Sequence, residues 1–304
     1  MKRVFFWAIL AMPFLFACQT SWDVESVSTL NDAPKVFYAT LEQTAPDTKV
    51  YADENLRVLW NANDSINLFD HYSYGKKYRF DGPDGANAGT FTDIEPSTSF
   101  IVGNELSHVY AIYPYSPYNG INNAGTVLQL TLPEEQTYKE NSFGIGANTM
   151  IATGDDNNLR FKNLCGYLCL KLYGNGVNVS RVMLKVNEGQ ERISGDADVT
   201  VGHVVKQGKD DITVLDDEPV VNLVEPYDSH MLILNCPTPV PLGATVNDYK
   251  VFWLVVPPVT FSDGFTVYVE DNHGKQFSKS THNAITIKRS TMTKMAPIEV
   301  VVPE

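Results

Sequence analysis

Hydrophobic and polar residues alternate with a period of two along most of the chain beyond residue 35. This alternation is typical of β-strands that bury one face. Three clear examples have apolar sets at Leu128, Leu130 and Leu132, at Val182, Leu184 and Val186, and at Phe265, Val267 and Val269. Residues 250–256 are almost uniformly apolar and stop at Pro257 and Pro258, which predicts a strand buried on both faces. No stretch of helical length carries a 3.6-residue apolar stripe, so the pattern predicts an all-β fold.

Short polar clusters separate the predicted strands, and they are rich in Gly, Asn and Asp, which tolerate the positive φ of tight turns. Examples are residues 81–85, 119–120, 122–123 and 262–264. Strands at this spacing are typical of β-sandwiches. The polar stretch 153–158 lies near the middle of the chain and is the best candidate for a domain boundary. We therefore expect one β-sandwich over residues 36–156 and a second over residues 157–304.

The N-terminus has the pattern of an export signal. Lys2 and Arg3 precede an apolar run that ends in Leu15-Phe16-Ala17-Cys18. A cationic start, an apolar core and a small residue before a cysteine resemble a bacterial lipobox. One alternative is an ordinary signal peptide with a chance cysteine. The other, a transmembrane helix, fits less well because residues 4–17 are too short to span a bilayer and include Pro13. We expect residues 1–17 to be a signal peptide, Cys18 to be lipidated, and residues 18–35 to be a tether above the membrane.

Composition narrows the class of partner. The chain carries a formal net charge of −13 at pH 7, and removal of the N-terminal signal would make it more acidic still. Nucleic-acid binding requires clusters of Lys and Arg that neutralise phosphates, so this balance argues against a nucleic-acid partner. It argues equally against a polybasic membrane contact. A hydrophobic share of 43% is sufficient for buried cores.

Motifs for catalysis or for metal binding are weak in this sequence. The six histidines are dispersed, with no His-x-x-x-His pair, and there is no Gly-x-Ser-x-Gly elbow. The acidic segments 196–198 and 270–274 match no calcium-binding spacing and are better read as turns. We therefore expect no catalytic residues, no metal site and no cofactor.

Three cysteines remain after Cys18, too few for a disulfide scaffold. Cys165 and Cys169 lie on one predicted strand, about 13 Å apart, which is beyond disulfide reach. We expect them to be small packed residues. The tyrosine-rich segment 110–118 carries rings of the kind that stack on sugars, although tyrosines at sheet ends are also common packing residues.

Several segments, in chain order, resemble the fimbrillin-like lipoproteins of Bacteroides-type bacteria. They include Leu59-Trp60-Asn61-Ala62-Asn63-Asp64 within residues 56–66, Phe161-Lys162-Asn163-Leu164-Cys165-Gly166, and Trp253-Leu254-Val255-Val256-Pro257-Pro258, together with residues 89–91, 110–114, 132–138, 264–267 and 287–295. The resemblance covers nearly the whole chain after Cys18, and it rests on the order of these segments together with the lipobox.

The resemblance implies a subunit of a type V pilus built from two tandem transthyretin-like β-sandwiches. In that family the precursor reaches the outer membrane as a lipoprotein, and a trypsin-like protease removes its N-terminal segment. A strand from a neighbouring subunit then fills the groove that the first strand leaves, by β-augmentation. The implied partners are other pilin subunits, the outer membrane through the Cys18 lipid before processing, and a ligand on host or bacterial surfaces. The implied locations are the cell surface and the extracellular fimbrium.

Two ends of the chain fit that scheme. Val36, Phe37, Tyr38, Ala39, Thr40 and Leu41 form the candidate removable strand, with Phe37, Ala39 and Leu41 on one face. The candidate cleavage residues are Lys49, favoured because exposed loops are readily cut, and Arg57, favoured by the chemistry of an arginine-specific protease. Ile298, Val300 and Val302 share one face of a terminal strand. That strand either is donated to the next subunit or closes its own sandwich.

Three functions remain open at this point. A structural or adhesive pilus subunit, which is not an enzyme, is the preferred one. A glycan-binding lipoprotein that stays anchored and monomeric is the alternative that the tyrosines favour. A hydrolase is the third.

Overall fold

All of the regular secondary structure in the described part of the chain is β-strand, which confirms the predicted all-β class. The computed structural model describes residues 36–42, 58–70, 74–95, 106, 108–122, 125–154, 157–188, 190–207 and 210–302. Within these ranges no helix has the length and apolar character needed to cross a membrane.

Twenty-two strands follow one another along these residues. In chain order they are β1 (Val36–Leu41), β2 (Ser65–Phe69), β3 (Tyr74–Phe80), β4 (Ala88–Asp93), β5 (Val109–Tyr113), β6 (Gly120–Ile121), β7 (Val127–Leu132), β8 (Glu135–Thr137), β9 (Met150–Gly154), β10 (Asn158–Asn163), β11 (Gly166–Tyr173), β12 (Asn178–Val186), β13 (Ser194–Gln207), β14 (Asp210–Ser229), β15 (Met231–Pro241), β16 (Lys250–Val256), β17 (Val259–Phe261), β18 (Phe265–Asp271), β19 (Gln276–Thr281), β20 (Ile285–Ile287), β21 (Met292–Lys294) and β22 (Ile298–Glu299).

Seven strands in the N-terminal half form a closed sheet in the order β1-β10-β9-β5-β2-β3-β4, and β4 returns to β1. Every one of the seven contributes inward-facing apolar side chains to a single core, which we call the first core. Trp60, which precedes β2, lies at its centre and is fully buried. The closed sheet therefore encloses its own hydrophobic interior.

The C-terminal half packs two sheets face to face. One has the order β16-β11-β21, with β22 also paired to β11, and the other has the order β19-β18-β12-β15-β8. Apolar residues of both sheets form a second core between them. This is the layered arrangement of a β-sandwich.

A further sheet, β14-β13-β7-β6, helps to join the two halves. Its apolar face packs in a middle core together with the outer face of β5 and with β11 and β16. The predicted doubly buried strand is confirmed as β16: Phe252 and Leu254 face the second core, whereas Trp253 and Val255 face the middle core. The sheet of β11 and β16 thus lies between two hydrophobic layers.

The alternating strands of the sequence pattern are confirmed. The apolar positions of β7, β12 and β18 are buried while their intervening positions are more exposed. Cys165, Cys169 and Cys236 are free and buried, as expected for packed thiols. Burial raises the pKa of the Cys165 thiol to about 12 and that of Cys169 to about 11.

The midpoint of the chain lies within the closed sheet. The expected boundary after residue 156 falls between β9 and β10, which pair with each other in that sheet. Conversely, β8 precedes that boundary but pairs with β15, which follows it in the C-terminal half. All of the described residues fall in one compact unit.

Candidate assembly site at the first strand

The first strand fills a single gap in the closed sheet. β1 pairs antiparallel with β4 on one side and parallel with β10 on the other. The pairing with β10 is parallel, whereas the other six pairs of this sheet are antiparallel. β1 is therefore a six-residue segment, preceded along the described chain by no other strand, whose hydrogen bonds close the sheet on both edges.

The side chains of β1 alternate as the sequence predicts. Phe37 and Ala39 are fully buried and Leu41 is nearly so, whereas Val36 and Tyr38 are exposed. The Phe37 ring meets the ring of Tyr78 edge to face, with centroids 5.5 Å apart. Removal of β1 would leave two unpaired sheet edges above an aromatic core, a surface that promotes further strand pairing.

Glu42 follows β1 directly and continues its ladder. Its backbone N–H donates to the carbonyl of Phe161 at 2.9 Å. Its carboxylate accepts hydrogen bonds from both terminal nitrogens of Arg289, at 2.6 Å and 3.0 Å. The two residues are separated by 247 positions in the chain, so this ion pair ties the end of the first strand to the C-terminal half.

A tight turn places Arg289 against that strand. The backbone of Ser290 has a positive φ of 54°, and its N–H donates to the carbonyl of Cys165 at 2.9 Å. Gly166 permits this close approach, because a Cβ atom at that position would lie 2.2 Å from the carbonyl oxygen of Lys288. The turn leaves the Arg289 side chain only 12% exposed.

Asn163, at the end of β10, completes the network and is fully buried. Its N–H donates to the Glu42 carboxylate at 3.0 Å, and its carbonyl accepts from Arg289 at 2.9 Å. Its side-chain amide donates to the Ser290 hydroxyl at 3.0 Å and accepts from Asn148 at 2.8 Å. The carboxylate at the end of β1 is thus bound by donors from the Arg289 side chain and from the backbone of Asn163.

Electrostatics favour the charged form of this arginine. Burial disfavours the guanidinium, but hydrogen bonds and attraction from Glu42 and Glu218 outweigh it, so the pKa of Arg289 lies above its usual value. Glu218, on β14, accepts from Nε of Arg289 at 2.7 Å, and its own side chain is 71% exposed. Glu42 is the more buried of the two acidic partners.

The C-terminal segment lies in the other half of the molecule. Ile298 pairs with Leu172 of β11, and the N–H of Val300 donates to Tyr173 at 2.8 Å. Val300 is buried in the second core, and Ile298 and Val302 pack against the same core. In this structure the segment closes its own half, one of the two roles that the sequence left open.

Three predicted residues lie outside the described part of the chain: Cys18, Lys49 and Arg57. Val58, which follows Arg57, is buried in the first core.

Glu42 and Arg289 were not singled out from the sequence. Their pairing depends on the tertiary fold.

The tyrosines of residues 110–118 do not form a common surface. Tyr110 and Tyr113 are buried, Tyr115 lies beneath the ammonium of Lys77 at 4.6 Å, and Tyr118 is 88% exposed. A sugar-stacking platform built from this segment is therefore absent among these described residues.

A cleft of about 380 Å³ opens beside the first core. Its lining includes Asp84, Tyr113, Lys139, Phe143 and Asn148. The Tyr113 hydroxyl donates to Asp64 at 3.1 Å. Burial raises the pKa of Asp64, although hydrogen bonds from Asn61 and Tyr113 oppose the effect. The cleft offers both aromatic and polar contacts.

The acidic segment 270–274 includes the hairpin turn between β18 and β19, whereas segment 196–198 lies within β13, so its interpretation as a turn is wrong. The Asp271 carboxylate accepts from the backbone N–H groups of His273 and Lys275, both at 2.8 Å. Among the described residues, no group of three or more His, Cys, Asp or Glu side chains is arranged to hold a metal ion.

Comparison with known proteins gives matches among solved structures alone. No protein-family model matches the chain, and no curated protein matches it. Matching structures include a candidate cell adhesion protein from Bacteroides ovatus (14% identity, 83% of this chain and 88% of that chain covered, TM-score 0.45). A second, from Bacteroides uniformis, has 14% identity, coverage of 88% and 94%, and a TM-score of 0.46. The tip fimbrial protein Mfa3 from Porphyromonas gingivalis has 7% identity, coverage of 86% and 94%, and a TM-score of 0.28. These names are those of adhesion and fimbrial proteins.

Proposed function

We propose that this chain is a structural or adhesive subunit of a fimbrillin-type (type V) pilus, assembled by removal of its first strand and donor-strand exchange. The observation that carries the proposal is the position of β1, the first strand of the described chain, which closes a sheet on both edges and buries Phe37, Ala39 and Leu41. The sequence resemblance supports the same scheme. On this proposal the protein functions in pilus assembly rather than in catalysis.

Export precedes assembly in this proposal. Cys18 carries the lipid, which holds the precursor at the outer membrane. Firm anchoring needs more than one acyl chain on this residue. The family resemblance implies that the two halves of the chain are tandem transthyretin-like β-sandwiches. Cleavage after Lys49 or Arg57 would separate residues 36–42 from the rest of the folded chain. A cut after Arg57 must occur next to the buried Val58, so Lys49 is the better substrate by access.

Exchange follows from the physics of the vacated groove. Loss of β1 leaves β4 and β10 with unpaired backbone groups, and an incoming strand restores both ladders. The C-terminal segment with Ile298, Val300 and Val302 is the candidate donor to another subunit. It must first leave β11, where it is paired in this structure.

A second candidate function is a glycan-binding lipoprotein that remains anchored and monomeric. The observation that favours it is the cleft of about 380 Å³, whose aromatic and amide side chains suit a small polyhydroxylated ligand. This function requires neither cleavage nor exchange.

The test is the state of the protein at the surface of its native cells, by intact mass, N-terminal sequencing and gel filtration. We expect a new N-terminus at Val50 or Val58 and ladder-forming assemblies. Lys49→Gln and Arg57→Gln, singly and together, should abolish cleavage at the site in use, whereas Lys279→Gln, an exposed control on β19, should not. An acylated, uncut monomer would overturn the pilus proposal, and sugar-array binding by that monomer would establish the alternative.

A further inference from the structure

The groove that β1 leaves would favour some incoming strands over others. Three of its features determine which strand fits: a cation at one end, a restricted space in the middle, and a backbone acceptor beside the cation. We propose that Arg289 reads a carboxylate at the end of whichever strand replaces β1, so that the groove accepts a bulky–x–small–x–bulky–acidic segment from a different subunit and rejects the C-terminal strand of a second copy. This inference rests on the strand exchange of the proposed function.

The cation end is set by Glu42 and Arg289. When β1 leaves, Glu42 leaves with it, and both of its hydrogen bonds from the guanidinium are lost. The N–H of Asn163 loses its carboxylate acceptor at the same time. Glu218 remains, but it is largely exposed and reaches Arg289 from β14, away from β10. An occupant without an acid at this point leaves a largely buried cation half paired, which is costly.

The middle of the groove admits a small side chain. Ala39 is fully buried and pairs with Gly89 of β4. Directly paired residues of an antiparallel ladder point to the same face. The ring of Phe80 occupies that face, because a Cβ atom at Gly89 would lie 2.5 Å from it. A larger residue in place of Ala39 would press against this packed ring.

The chain's own C-terminus does not meet these requirements. Aligned in the direction of β1, residues 297–303 place Ile298, Val300 and Val302 where Phe37, Ala39 and Leu41 lie. Val300 then takes the position of the small residue, and Pro303 takes that of Glu42. Proline has neither the carboxylate that Arg289 binds nor the N–H that Glu42 donates to Phe161. The fitting partner is therefore another chain, with a small inward residue and an acid.

The test uses the full chain after Cys18, with a specific protease site inserted between residues 43 and 49. The protein is cut at this site after it has folded. Segment 36–42 then stays bound to the rest of the protein without a covalent link. Labelled heptapeptides are then offered as competitors and followed by fluorescence anisotropy. They are residues 36–42, the same peptide with Glu42→Gln, the same peptide with Ala39→Val, and residues 297–303, all with acetylated N-termini and amidated C-termini so that no terminal carboxylate can pair with Arg289.

We expect the 36–42 peptide to bind at least about tenfold more tightly than each of the other three, and its preference over the Gln peptide to weaken at high salt. In a chain carrying Arg289→Gln, the Glu and Gln peptides should bind equally. Arg160→Gln is the matched control, because Arg160 is an exposed cation on β10, and it should leave the preference unchanged.

Each other outcome has a distinct meaning. If peptides exchange but the Glu and Gln forms bind equally in the unaltered chain, then Arg289 does not recognise a carboxylate on the incoming strand, although strand exchange itself stands. If residues 297–303 bind as tightly as residues 36–42, the exclusion of a second copy is wrong. If no peptide displaces segment 36–42 under any condition that keeps the protein folded, both this inference and the proposed exchange fail.

Discussion

Trp60 holds the first core together through four aromatic neighbours. Its ring centroid lies 5.0–5.9 Å from those of Phe80, Phe91, Tyr113 and Phe161, and three of the four contacts are edge to face. The indole N–H is buried and has no hydrogen-bond partner among the described residues. The tryptophan therefore contributes through volume and ring contacts rather than through its polar atom.

This arrangement predicts unequal costs for two substitutions at Trp60. Trp60→Phe should lower the free energy of unfolding by about 1–2 kcal/mol, because it keeps an aromatic ring and removes an unsatisfied donor. Trp60→Ala should cost about 3–5 kcal/mol because it leaves a large cavity. Urea unfolding followed by circular dichroism measures both. Equal costs would show that a phenyl ring recovers none of the packing, which would contradict the role assigned to the ring contacts.

Glu270 gives a pH-dependent prediction at the same scale. Hydrogen bonds from Gln276 and Arg181 hold the pKa of its carboxyl below the usual value, with burial opposing them. A lowered folded-state pKa means that these contacts stabilise the protein above the unfolded pKa of about 4.3, and that the stabilisation is lost as the pH falls through the folded value. Arg181 contacts the carboxylate at 2.9 Å, and this pair lies near the surface.

We therefore expect Glu270→Gln to lower the free energy of unfolding by about 0.5 kcal/mol at pH 7, a small value because solvent screens the pair. As the pH falls through the lowered folded-state pKa of Glu270, the stabilities of the substituted and unaltered proteins should converge. Denaturant titrations at several pH values measure the difference, with Glu188→Gln in an exposed turn as the control. A deficit that persists unchanged at pH 3 would show that the loss is not electrostatic.

At the scale of single elements, β1 offers the cleanest comparison, because inward and outward residues alternate along it. Phe37 is fully buried, whereas the adjacent Tyr38 is 46% exposed. Phe37→Ala should lower the free energy of unfolding by about 3–4 kcal/mol, and Tyr38→Ala by less than about 1 kcal/mol. Urea titration of the uncut chain is the measurement. Similar losses for both would contradict the register of β1 against β4.

The strands themselves were predictable from the sequence, but their pairings were not. Alternation identifies β7, β12 and β18, and the uniformly apolar run identifies β16, because a period of two reports how each face is buried. It carries no information on which strand lies alongside. The parallel pairings of β1 with β10 and of β11 with β22 link segments far apart in the chain. The Glu42–Arg289 contact depends on the same long-range geometry, which is why the first strand was identified and its anchor was not.

At the scale of the whole molecule, the middle core decides how the two halves depend on each other. It joins Tyr110 and Ile112 of the closed sheet, Leu128 of β7, and Tyr167 of β11 in one buried cluster. The sequence pattern suggested two sandwiches meeting after residue 156, because polar residues there interrupt the alternation. A sequence pattern cannot show that β10 returns to the closed sheet or that β8 reaches the C-terminal half, since both depend on packing between distant strands.

A shared core predicts one cooperative unfolding transition for both halves. Leu128 is fully buried in the middle core, so Leu128→Ala should lower the free energy of unfolding by about 2–4 kcal/mol. Because the cluster contacts both halves, amides of β5 and β10 and amides of β12 and β18 should lose protection together. Leu234→Ala, in the second core alone, is the matched control. Hydrogen exchange across a urea series, read by mass spectrometry, follows the two sets of amides separately.

If the closed sheet opens at a lower urea concentration than the C-terminal sandwich in the unaltered chain, the halves are independent folding units and the middle core is a weak interface. If the two halves open together, the packing of the C-terminal half must resist the release of β1 from the N-terminal half. The Glu42–Arg289 contact then belongs to one cooperative unit that includes both halves.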